Sequence, residues 1–71
     1  MLKYLVIIEK TKSGYSAYAP DLPGCIATGK TKKAVERSMY EAVKFHIEGL
    51  REGGLEIPRP STESEVFVFA A

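Results

Sequence analysis

Apolar residues dominate the first eight positions, Met1-Leu2-Lys3-Tyr4-Leu5-Val6-Ile7-Ile8, before Glu9 and Lys10 end the run. The branched residues and short length predict a strand over Leu2–Glu9. Alternation places Leu2, Tyr4, Val6 and Ile8 on one side and Leu5 and Ile7 on the other, so both faces of the strand are apolar. Thr11-Lys12-Ser13-Gly14 is a turn signal, and Tyr15–Ala19 reads as the hairpin partner. Ala19-Pro20-Asp21-Leu22-Pro23-Gly24-Cys25 then forms a stiff corner, because each proline fixes φ and Gly24 tolerates positive φ. A short third strand follows at Cys25–Thr28.

Beyond Thr31 the period changes. Ala34, Val35, Ser38, Met39, Ala42, Val43, His46, Ile47 and Leu50 recur at three-and-four spacing, which predicts a helix with one buried stripe. Thr31 suits the N-cap. Gly53-Gly54 ends the helix, and Pro58 and Pro60 bar its return. Gly49, inside the helix, suggests a close approach by another segment. Ile57-Pro58-Arg59-Pro60-Ser61 reads as an extended connector. Val66-Phe67-Val68-Phe69 reads as a last strand, apolar on both faces and flanked by Glu63 and Glu65, with its two phenylalanines assigned to different layers.

The expected fold is therefore α+β, with order β-β-β-α-β and one helix packed on one face of the sheet. A single helix leaves the other face open. Leu5, Ile7, Val66, Phe67, Val68 and Phe69 are accordingly candidate oligomer-interface residues, covered by another subunit. At 71 residues the chain is expected to be one domain, residues 1–71, with a marginal core. Small folds of this size usually need a staple. One cysteine makes no internal disulfide, and one histidine with one cysteine is a poor start for zinc, so no cofactor or metal is expected. Association remains, and a homo-oligomer, a dimer or larger, is expected.

A net charge of +1 gives no general case for nucleic acid or an anionic membrane. The apolar N-terminus is too brief for a membrane span, and a lone thiol suits a reducing cytoplasmic setting. Lys30, Lys32, Lys33 and Arg37 gather at the helix start. They read as a solvated basic face, or as a contact for an anion or acidic partner.

Candidate chemistry is sparse. Asp21 reads either as a recognition acid or as a cap for backbone N–H groups in the corner. Tyr18 and Leu22 read as an exposed contact patch or as packing beneath the corner. Tyr18, Asp21 and Leu22 are the candidate partner-binding residues. Cys25 reads as an inert buried thiol, and His46 as a helical residue on the apolar stripe. No nucleophile has a base beside it. Two-metal hydrolysis needs convergent carboxylates, whereas Glu36, Glu41, Glu48 and Glu52 read as helix-surface residues, so no enzyme is expected.

With these segments in place, the sequence resembles the HicB family of antitoxin-like proteins. The resemblance is carried by Gly14-Tyr15-Ser16-Ala17, Pro20-Asp21-Leu22-Pro23-Gly24-Cys25, Thr28-Gly29-Lys30-Thr31, and Glu41–Leu50 followed by Ile57-Pro58-Arg59-Pro60-Ser61. It implies a partial RNase H-like βββαβ sheet. It also implies binding to a HicA-type toxin, a small mRNA-cleaving protein whose active site the antitoxin occludes. Many members carry a C-terminal DNA-binding segment; none follows here before Ala71, so operator binding is not expected of this chain. The alternative is a stand-alone oligomeric HicB-like protein with another ligand or partner and no toxin.

Overall fold

The computed structural model describes residues 1–71. Three strands, β1 (Ile7–Lys10), β2 (Tyr15–Tyr18) and β3 (Ile26–Gly29), precede one helix, α1 (Lys32–Glu52). The strands form an antiparallel sheet in the order β1-β2-β3. The α+β class and the single helix agree with the sequence pattern.

β1 is shorter than the apolar run that contains it. Its last pair is Ile7 with Tyr18. The next residue of β2's chain to face β1 is Pro20, which has no N–H to donate. The ladder therefore stops, and Leu2–Val6 runs on without strand pairing.

Register sorts the side chains into two faces. Ile8, Ala17 and Ala27 form one cross-strand row and face the helix. Ile7, Tyr18 and Ile26 form a row on the opposite face. The buried core comprises Ala17, Ala19, Leu22, Cys25, Val35 and Met39, with Tyr4, Val6, Ile8, Ala42 and Val43 packed around it.

The helix begins and ends where its sequence dictates. The Thr31 hydroxyl accepts from the Ala34 N–H at 3.0 Å. At the other end Gly54 takes φ +67°, its N–H donates to the Arg51 carbonyl, and the Leu55 N–H reaches back to Leu50 at 2.9 Å. These two bonds form a Schellman stop, which needs glycine at the left-handed position. Gly29 serves a different need: a Cβ there would lie 2.6 Å from the Val35 backbone nitrogen. Its missing side chain lets β3 run close against the first turn of α1. No such neighbour explains Gly49, where a Cβ would meet nothing within 4 Å. The close approach expected at Gly49 is corrected.

A fourth strand is not formed within the chain. Beyond Gly54 the backbone has no strand pairing, and Val66, Phe67, Val68 and Phe69 are all exposed. The reason is that no edge of the chain's own sheet lies alongside them. Phe67 and Phe69, two positions apart, share one side, with ring centroids 6.4 Å apart. The alternation thus separates the phenylalanines from the valines, contrary to the assignment of the two rings to different layers.

Candidate functional site: the corner, the connector and the open sheet

The corner between β2 and β3 is two consecutive turns. The Leu22 N–H donates to Ala19 O at 3.0 Å, closing a turn with Pro20 and Asp21 at its centre. The Cys25 N–H donates to Leu22 O at 3.1 Å, closing a second turn over Pro23 and Gly24, the latter at φ +81°. Proline followed by a positive-φ glycine is the signature of a type II turn. Leu22 is shared by both turns and is driven inward, where it is fully buried. The expectation of an exposed Leu22 contact is therefore corrected: the corner's apolar residue is core, not surface. Cys25 is buried beside it, and desolvation pushes its thiol up from the ordinary value.

Asp21 points the other way. Its carboxylate accepts from the Thr62 hydroxyl at 2.7 Å, the Ser61 N–H at 2.9 Å, the Thr62 N–H at 3.0 Å and the Ser61 hydroxyl at 3.2 Å. The Thr62 hydroxyl, followed by the two backbone N–H donors, holds its pKa down at about 2. Asp21 thus caps backbone donors, but from a segment 40 residues away rather than from its own corner. A second tie lies nearby, where the Tyr4 hydroxyl donates to the Pro58 carbonyl. Together the two ties fasten the connector across the end of the sheet.

Tyr18 is exposed, as are Ile26 and, in part, Leu5 and Ile7. Register brings Tyr18 between Ile7 and Ile26, so the sequence candidates split. Tyr18 joins the open sheet face, Asp21 serves the connector, and Leu22 joins the core. Ile26, missed at the sequence level, becomes part of the exposed row because β3 pairs Tyr18 with it. On the helix side, a groove of about 740 Å³ runs between the first strand segment and α1, walled by Val6, Ile8, Met39, Val43 and Ile47.

The basic helix start is solvent-exposed, and the first turn carries no acid. The β1–β2 turn brings Lys10 and Lys12 beside Lys30 and Lys32 around a shallow polar depression. No three His, Cys, Asp or Glu side chains converge on a point where they could hold a metal ion. No helix is long and apolar enough to cross a membrane.

The structure thus presents a small α+β domain with a clamped connector, an exposed apolar row and an open groove. The chain belongs to the HicB-like antitoxin family: residues 4–68 match the family described as HicB_like antitoxin of bacterial toxin-antitoxin system. It is 43% identical over 70 residues to the UPF0150 protein Ta0767 of Thermoplasma acidophilum, covering 97% of this chain and all of that protein. It is 31% identical to Antitoxin HicB 2 of Photorhabdus laumondii subsp. laumondii, over 94% of this chain but 48% of that antitoxin. Among solved structures, it is similar to a chain of a HicA3 and HicB3 toxin-antitoxin complex, with 35% identity and a TM-score of 0.71, over 84% of this chain and 70% of that one.

Proposed function

We propose that this protein is an antitoxin-like binding module that captures and neutralises a HicA-type mRNA-cleaving toxin. The observation that carries this reading is the likeness, in both fold and sequence, to a chain from a toxin–antitoxin complex. In this role the domain acts by binding rather than catalysis, in the cytoplasm, as one unit spanning residues 1–71. The partial RNase H-like sheet is the scaffold that presents its surfaces.

Within that scaffold Tyr18 is the contact residue, flanked by Ile7 and Ile26 in one exposed row. A tyrosine in an apolar surround presents a large, stiff contact area with a polar tip, the composition typical of interface hot spots. Asp21 acts indirectly, by fixing the connector beside this face. The protein is also taken to self-associate, because its core is small and apolar residues remain exposed on the sheet, in the groove and at the C-terminal end.

The test is coexpression with a small HicA-type toxin from the same host. Restored growth and a stoichiometric copurified complex are expected, and Tyr18→Asp should weaken capture about tenfold or more while leaving the helical signal intact. Continued growth arrest with no complex would refute the antitoxin reading.

One observation favours a second reading, a stand-alone HicB-like protein with another partner. The Thermoplasma acidophilum relative is spanned from end to end by this chain, so a HicB-like protein of this size can be a whole protein. A homo-oligomer recovered with no toxin gene beside it would support that reading.

A further inference from the structure

Val66–Phe69 has no partner in its own chain, and its four side chains are between 74% and 92% exposed. The molecule is correspondingly extended, with a radius of gyration of 13.9 Å against about 11 Å for a compact 71-residue domain. It exposes 6089 Å², whereas a finished monomer of 7.8 kDa exposes about 4,400 Å². The surplus, roughly 1,700 Å², exceeds the ~800 Å² that each partner of an ordinary stable interface buries.

The sheet offers one edge that suits this segment. A strand apolar on both sides needs a neighbour whose two faces are both apolar. The stretch Leu5–Ile8, which joins β1 to the run before it, qualifies, with Val6 and Ile8 opening onto the groove and Leu5 and Ile7 on the opposite face, before Glu9 and Lys10 end the apolar run. The other edge, β3, has Ile26 and Ala27 but continues into exposed Thr28 and side-chain-free Gly29, and no apolar run extends it, since Pro23-Gly24 precede and Lys30 follows. Nothing pairs with the outer side of β1, and unpaired edge N–H and C=O groups favour addition of a strand.

The chain's own end does not pair with that edge. Tyr4 holds Pro58 beside the first strand segment, and Asp21 then draws Ser61 and Thr62 across to the corner beyond β2. Beyond Thr62 the segment pairs with no strand of its own chain. A second copy of the chain supplies both the free edge and the free strand.

We propose that two copies exchange their C-terminal ends, the Val66–Phe69 segment of each adding as a fourth strand to the outer edge of β1 of the other. Phe67 and Phe69 fill one apolar face and Val66 and Val68 the other. Reciprocal exchange closes the pair with two-fold symmetry and leaves no β1 edge free. The proposal rests on the self-association described above and not on toxin binding.

The experiment compares the full chain with the double variant Phe67→Glu, Phe69→Glu by sedimentation velocity and circular dichroism at micromolar concentration. A dimer for the native chain and a monomer with unchanged helical signal for the variant are expected. Hydrogen exchange on the native dimer supplies a readout free of any variant: amides in 66–69 that face β1 should be slowed by about a hundredfold or more relative to unstructured chain. A variant that stays dimeric, or amides that exchange at the unstructured rate in a native dimer, overturns strand exchange while leaving self-association intact. A monomeric native chain overturns both. Toxin rescue is read separately and decides neither outcome.

Discussion

Asp21 shows how one side chain links distant parts of the chain. Four donors stabilise its charged form, so its folded pKa of about 2 lies below the ordinary 3.8. A carboxylate depressed in this way contributes stability at pH above its unfolded value, and the contribution fades as pH falls through the folded one. The ties to Ser61 and Thr62 should therefore be constant above about pH 4 and weaken between pH 4 and pH 2. NMR hydrogen exchange at Ser61 and Thr62 measures this. In Asp21→Asn both amides should exchange faster near neutral pH, and the difference from the native chain should shrink toward pH 2. Glycines provide a second contrast at the same scale. Gly49→Ala meets open space and should stabilise the helix by about 0.5–1 kcal/mol. Gly29→Ala forces a Cβ against the Val35 backbone and should cost about 1–3 kcal/mol. Urea denaturation of the two variants should show opposite signs.

Among the elements, those set by local chemistry were legible in the sequence. Thr31 as cap, the Gly53-Gly54 stop and the buried stripe from Val35 through Met39 depend on neighbours within a turn or two. The Pro23-Gly24 turn was legible for the same reason. Three features were not. The apolar run extends beyond the start of β1, because that end of the strand is set by Pro20 on the neighbouring segment. The inward direction of Leu22 depends on two turns sharing that residue, a geometry that composition does not convey. Asp21 finds its donors 40 residues on, and spacing alone carries no signal for that pairing. The corner also yields a prediction. Leu22 is the largest of the fully buried side chains, so Leu22→Ala should cost about 2–5 kcal/mol. Domains typically have only ~0.05–0.15 kcal/mol of stability per residue, so this loss removes much or all of the total for a chain of this size. Denaturant unfolding should show a sharply lowered midpoint or no folded baseline.

For the whole molecule, six buried residues are few for an independent fold. Much of the remaining apolar surface lies on the open sheet row, in the groove and on the C-terminal end, with Phe45 and Leu55 exposed besides. When folding depends on association, stability becomes a function of protein concentration. A tenfold increase in concentration then adds about 1.4 kcal/mol per dimer. With an unfolding entropy of about 2.1 cal/mol/K per residue over both chains, that increment raises the melting temperature by about 5 °C. Calorimetry from 10-fold dilute to concentrated samples should show this rise in the native chain, while in the Phe67→Glu, Phe69→Glu variant Tm should be lower and independent of concentration. A native Tm that stays fixed would show that the small core suffices alone, and that the exposed valines and phenylalanines serve a partner other than a second copy of the chain.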